Sequence, residues 1–303
     1  MRPTLALLIA ILSMAGFTVA NAAGAAWSDA PLGIRARSQD IVSSSTGRTY
    51  HIQVFVPSTP PPPAGYPILY LLDGNATYPV AATLLQLAEH RVNPGSLAPG
   101  IVVGIGYPGD APIDLRARAE DYTPPAPDLS ATGDTSGNPQ GGADRFLDFI
   151  EKELKPLIAD AFPINPARQT IFGHSYGGLL VLHTLFTRPS AFQRYVAASP
   201  SIWWNKRFIL TEKSAWLKTH LPSSTSLQVV ITVGSLEQTP SSDPRLASRA
   251  NLVLARRQLD NARELAADLA VHGVSTEFFL LKGNDHGESR TPALVHALRT
   301  AFQ

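Results

Sequence analysis

The sequence contains no cysteine. That absence excludes disulfide staples, thiolate metal sites, a cysteine nucleophile and a lipidated N-terminal cysteine. An excess of either charge is also missing, because 25 Lys+Arg stand against 24 Asp+Glu. No broad positive field is available to wrap nucleic acid or coat an anionic membrane. Charged residues make up only 16 % of the 303 positions while hydrophobic ones make up 44 %. Such a chain is too apolar to stay disordered and long enough to bury a large core. Its 26 prolines and 22 glycines point to many turns and long irregular loops rather than long helices.

The N-terminus has its own grammar. Met1-Arg2 is a short positive start, Leu5 to Val19 is an apolar run too short to span a bilayer comfortably, and Ala20-Asn21-Ala22 matches a small-residue cleavage site. Residues 1–22 therefore read as a secretory signal peptide and residues 23–303 as one exported domain. The expected location is the periplasm, with no membrane attachment after cleavage.

Along the rest of the chain, Tyr50–Val56, Ile68–Leu72, Ile101–Ile105, Gln169–Phe172, Arg194–Ala198, Gln228–Val233 and Thr276–Leu281 are short apolar runs bounded by Gly, Pro or Asp. They predict buried strands. Helices are predicted between them at Ala81–His90, Asp144–Ala161, Gly177–Phe186, Asn205–Thr219, Leu246–His272 and Thr291–Ala301. In the long one, Leu252, Leu259, Leu265 and Leu269 recur at helical spacing while Arg256 and Arg257 face water, and Gly273 supplies a stop. Strands alternating with helices imply an α/β fold with a mostly parallel sheet covered on both faces. Pro60 to Pro63 form a rigid connection, since four prolines cannot join a ladder. Pro108 to Gly142 is a long loop of the kind that shapes binding sites.

Gly173-His174-Ser175-Tyr176-Gly177-Gly178 follows a predicted strand and opens a predicted helix. A serine on a sharp strand-to-helix turn is presented at the carboxyl end of the sheet, and small residues around it let strand and helix approach. Serine needs a base at neutral pH. His286, in the turn after the last predicted strand, fills that role; His51, His90, His174, His183, His220, His272 and His296 read as structural. The acid belongs after the penultimate strand, where Glu237 stands, with Asp243 and Asp285 as competitors. The chain order Ser175, Glu237, His286 is that of an α/β-hydrolase. One oxyanion donor is the Tyr176 amide at the helix N-terminus. The other is backbone near Gly74 or Asn75.

These residues, together with Leu69 to Ala76, Arg118-Ala119-Glu120-Asp121-Tyr122-Thr123-Pro124, Gly141 to Phe146 and Ala198-Ser199-Pro200-Ser201, resemble the esterase branch of the α/β-hydrolases. More narrowly, they resemble the periplasmic siderophore esterases that open enterobactin-type trilactones. Gly234-Ser235-Leu236-Glu237 resembles the members that carry a third catalytic acid. The resemblance implies a serine esterase that cleaves a catecholate siderophore and so promotes iron release, with no cofactor. Because such a ligand is trianionic when ferric, it implies cationic and aromatic contacts, for which Arg118, Arg116, Trp203 and Trp204 are the candidates. An exported carboxylesterase for another acyl, aryl or polysaccharide ester and a non-catalytic siderophore carrier are the competing readings.

Overall fold

A computed structural model describes Gly33 and residues 35–90, 97–219 and 227–303. Residues 1–22, which the sequence reads as a signal peptide, lie outside the described residues. The chain builds strands β1 (Arg37–Val42), β2 (Thr49–Phe55), β3 (Tyr66–Leu72), β4 (Ile101–Gly106), β5 (Ile164–His174), β6 (Arg194–Ala198), β7 (Gln228–Gly234) and β8 (Ser275–Leu281). Helices are α1 (Gly74–Glu89), α2 (Leu115–Asp121), α3 (Ala143–Phe149), α4 (Lys155–Ala161), α5 (Tyr176–Thr187), α6 (Trp204–Arg207), α7 (Ile209–Thr219), α8 (Ala250–Arg256), α9 (Gln258–Val271) and α10 (Arg290–Phe302).

The strands form one eight-stranded sheet in the order β1-β2-β4-β3-β5-β6-β7-β8. Only β1 with β2 and β2 with β4 pair antiparallel; β4 through β8 run parallel. Every residue of β3 and β4 is buried, as central parallel strands covered on both faces require. This explains why they read as unbroken apolar runs rather than alternating ones. Two buried clusters flank the sheet, one around Tyr50, Phe146, Leu179 and Trp204 and the other around Tyr78, Phe172, Leu294 and Phe302. Each such side chain contributes about 1.5–3 kcal/mol by leaving water. Among the described residues, no helix is long and apolar enough to cross a membrane.

Four differences from the sequence expectation have identifiable causes. β1 was not expected, because its sequence Arg-Ser-Gln-Asp-Ile-Val is polar and five of its six residues are exposed; an edge strand needs ladder partners but no apolar face. α2 sits inside the segment expected to be loop, capped by Asp114, whose carboxylate accepts the amides of Arg116 (3.1 Å) and Ala117 (2.9 Å). The helix expected over 144–161 contains a π-helical turn at Ile150–Leu154. It precedes Pro156, which has no N–H to give to the Lys152 carbonyl, so an extra residue is absorbed there. The long helix expected over 246–272 is a 3-10 helix at Pro244–Arg249, then α8, then α9, broken at Arg257, which is left-handed at φ 46°, ψ 42°. Gly273, at φ 79°, closes α9 as expected.

α5, the helix that follows Ser175, is tied to its neighbours by a partly buried ionic cluster. His183 Nδ1 lies 2.8 Å from Glu212 and Nε2 lies 3.2 Å from Asp144, and Arg188 binds Asp148 at 2.7 Å and Glu151 at 2.9 Å. The two carboxylates outweigh the opposing effect of burial and raise the His183 pKa above its ordinary value. Because the folded value is the higher one, the stabilisation is complete below the unfolded value of about 6.5 and is lost as pH rises through the folded value. His183→Ala is therefore expected to lower stability by about 1–3 kcal/mol at pH 6, with the gap from wild type narrowing toward pH 9. Urea unfolding at several pH values checks this; a gap that widens with pH contradicts it.

Candidate active site

The turn from β5 into α5 places Ser175 at φ 60°, ψ −116°, a region that costs a non-glycine residue about 1–3 kcal/mol. The neighbours hold it there. The Ser175 amide donates to the Ala198 carbonyl at 2.9 Å, and its own carbonyl accepts from Ser201 at 3.1 Å and Leu179 at 3.0 Å. Gly173 must lack a side chain, since a Cβ there would sit 2.3 Å from the Gly177 carbonyl oxygen. On the helix side the close approach belongs to Gly178, where a Cβ would meet the Ala198 carbonyl at 2.8 Å; Gly177 has ordinary clearance.

The three residues expected to act together meet at the carboxyl ends of β5, β7 and β8. His286 Nε2 lies 2.9 Å from Ser175 Oγ, and His286 Nδ1 lies 2.6 Å from Glu237 Oε2. The Glu237 side chain is fully buried while the imidazole is 46 % exposed, so the ring has one supported edge and one open face. Glu237 Oε1 accepts from the Gly234 amide at 2.6 Å and from the Ser199 hydroxyl. Every neighbour of this carboxylate is a donor, which suits its ionised form. Asp243 is instead the cap of the 3-10 helix and pairs with Arg245, and Asp285 accepts the amides of Gly287 and Glu288. Neither competes with Glu237 for His286.

Sequence reasoning missed the supporting hydroxyls. Ser199, itself left-handed at φ 43°, bridges Glu237 and Ser289 (2.9 Å), and Gln258 from α9 holds the Ser199 and Pro200 carbonyls at 2.7 and 2.9 Å. Ser201 Oγ is 3.3 Å from Ser175 Oγ. Ser289 contacts the His286 carbonyl (3.0 Å) and His174 Nε2 (3.2 Å). His174 packs its ring 4.8 Å from that of His286, and burial followed by the nearby His286 drives its pKa well below the ordinary value. It stays neutral and so does not repel an imidazolium at His286.

The amides of Gly74, Asn75 and Tyr176 open α1 and α5, where helix geometry supplies no acceptor. Among the described residues no other acceptor engages them. The Asn75 side chain is committed elsewhere, donating to the Tyr107 carbonyl at 2.9 Å and to Gly109 and Ala111. Asp73, just before α1, is left-handed at φ 52°, ψ 49°. Its amide donates to the Tyr122 hydroxyl at 3.1 Å and its carboxylate accepts Arg118 Nε at 2.8 Å and Nη2 at 3.1 Å.

That fork changes the reading of Arg118. It is 7 % exposed and its Nη2 also reaches the His174 carbonyl at 3.1 Å, so its donors tie the α1 turn to the end of β5 instead of facing an anionic ligand. The Arg-x-x-Asp-Tyr segment is a brace: Asp121 accepts from Tyr50 and Tyr107, each at 3.0 Å. Trp204 is corrected likewise, being fully buried with its indole N–H on Gln140 at 2.8 Å; it has no free face for a ligand. Arg116 is exposed in the first turn of α2 and makes no ion pair among the described residues. Trp203 is half-buried, 6.1 Å from the Tyr176 ring, with the Arg256 guanidinium 3.9 Å from its centroid. Arg256, expected to face water, is instead half-buried against Trp203. No sequence signal marked it.

The sequence profile of the family described as Putative esterase matches residues 43–283. The chain belongs to that esterase family. Among curated relatives, the ferri-bacillibactin esterase BesA of Bacillus subtilis is 40 % identical over 267 residues, covering 86 % of this chain and 87 % of its own length. A siderophore enterobactin esterase of Emericella nidulans is 38 % identical over 241 residues, 75 % of this chain and 78 % of the relative. Among solved structures, the siderophore hydrolase EstA of Aspergillus nidulans superposes with a TM-score of 0.78 at 33 % identity, covering 90 % of this chain and 97 % of EstA. The mostly parallel sheet with its serine at the β5–α5 turn is the α/β-hydrolase fold in this esterase.

Proposed function

We propose that this esterase is an exported, periplasmic serine hydrolase that opens the ester bonds of a catecholate siderophore such as an enterobactin-type trilactone, and so promotes iron release. The observation that carries the chemistry is the unbroken line from Ser175 Oγ through His286 to buried Glu237, at 2.9 and 2.6 Å. The relatives' names, which concern siderophore esters, support the substrate class.

Ser175 Oγ attacks the ester carbonyl carbon as its proton passes to His286 Nε2. The carbonyl π electrons move to oxygen, where the Tyr176 amide and an amide of Gly74 or Asn75 receive the developing charge. Glu237 holds the Nδ1–H tautomer and stabilises the imidazolium. When the tetrahedral centre collapses, the bond to the leaving alkoxide breaks and His286 returns the proton to that oxygen. Water then repeats the sequence on the acyl-enzyme, releasing the acid and restoring Ser175. Neutral His174 and the Ser199–Ser289 hydroxyls keep the imidazole in place without adding charge.

Incubating the purified protein with the ferric trilactone and resolving products by mass spectrometry tests this. Linear monomer, dimer or trimer fragments are expected, absent with Ser175→Ala; intact trilactone in both samples refutes the reading.

A further inference from the structure

Arg256 is half-buried, and it lacks what most cations withdrawn from water have. Its Nε is buried without a partner, and among the described residues none of its guanidinium nitrogens has a hydrogen-bond acceptor or a carboxylate within 4 Å. It lies instead on the Trp203 ring at 3.9 Å. Burial lowers its pKa, opposed by Tyr176 and Asp134. The nearby Asp134 carboxylate is already used, accepting the Tyr176 hydroxyl at 2.6 Å, Gln140 at 3.0 Å and the Ser136 amide at 2.8 Å. A desolvated guanidinium without a counter-ion is costly to keep unless something supplies one.

Its position fits a substrate contact. Trp203 packs 6.1 Å from the Tyr176 ring, whose backbone follows the nucleophile. Exposed Arg249, the last residue of the 3-10 helix that leads into α8, lines a cleft shared with Val253, Glu237 and His286. Arg249 and Val253 thus bring the start of α8 to the His286 cleft, and the arginine–tryptophan pair stands at the other end of the same helix. The guanidinium carbon sits over the indole, and the two Nη groups, which make no hydrogen bond among the described residues, are left to meet anionic oxygens on a flat ring.

We propose that Arg256 on Trp203, with Arg249 beside it, is the subsite that selects anionic aromatic arms, catecholates, over neutral hydroxamate ones. The subsite rests on the siderophore-esterase reading for its role in turnover, but binding tests it separately. In the Ser175→Ala protein, quenching of tryptophan fluorescence reads binding of the ferric catecholate trilactone without hydrolysis. Adding Arg256→Gln is expected to weaken binding about 10–100-fold, Arg256→Lys to restore part of it, and higher salt to shrink the difference. A neutral ferric trihydroxamate ester is expected to change at least tenfold less. Trp203→Leu, which removes the shelf and keeps the charge, is the second variant should Arg256→Gln melt early, and a loss of about tenfold is expected. Equal catecholate affinity with and without Arg256 and Trp203 overturns the subsite, and turnover by wild type then leaves the esterase reading intact. Arg256-dependent binding without wild-type turnover removes the esterase reading alone; neither binding nor turnover removes both.

Discussion

Replacing Ser175 with alanine is expected to reduce kcat by a factor on the order of 10⁶, and His286→Ala by a similar factor, with the double variant little worse than either. The non-additivity follows from geometry, since Oγ and Nε2, 2.9 Å apart, share one proton and neither is useful alone. Glu237→Gln should cost less, about 10⁴. The amide can still meet Nδ1, but the Gly234 amide and the Ser199 hydroxyl both aim donors at the same oxygen, so its NH₂ is forced toward the imidazole and the wrong tautomer. Single-turnover assays with an activated ester measure all four variants. A Glu237→Gln enzyme within tenfold of wild type would reduce the relay to Ser175 and His286 alone.

Arg118→Ala is expected to damage stability and catalysis together. It leaves the Asp73 carboxylate, 3 % exposed, without its partner, a loss of about 3–5 kcal/mol that lowers Tm by roughly 10 °C. Asp73 holds a left-handed conformation immediately before the Gly74 and Asn75 amides, so releasing it moves one oxyanion donor. A lost donor of this kind costs about 10²–10³ in kcat, with KM changing far less. Arg118→Lys keeps the charge but cannot reach both carboxylate oxygens and the His174 carbonyl at once; it should recover more of the Tm than of the kcat. Calorimetry with steady-state kinetics separates the two effects. Unchanged kcat in a folded Arg118→Ala protein would show that the brace does not set the oxyanion turn.

The nucleophile turn was legible because its constraints are local: Ser175 needs small neighbours within three residues, and a strand and helix must flank it. Glu237 and His286 were legible because sheet topology brings strand ends together in a fixed chain order. Arg118 was misplaced for the opposite reason. Its partner Asp73 is 45 residues away, and no local pattern distinguishes an arginine that braces a turn from one that meets a ligand. Trp203 and Trp204 are adjacent and chemically identical, yet only packing decides that one is buried on Gln140 and the other carries Arg256. β1 escaped notice because hydrophobic periodicity sees faces rather than ladders. Arg256 was hidden by the left-handed break at Arg257, which re-aims α8 relative to the face expected from an unbroken helix.

α8 contributes no buried side chain, whereas Ser175, Glu237 and His286 stand at the ends of strands locked into the core. The two halves of the site are therefore paid for separately. With the proposed roles, sequence drift in α8 would leave the sheet and the Ser175–His286–Glu237 line untouched, so selection could retune whose ester is cut while what is done to the ester stays fixed.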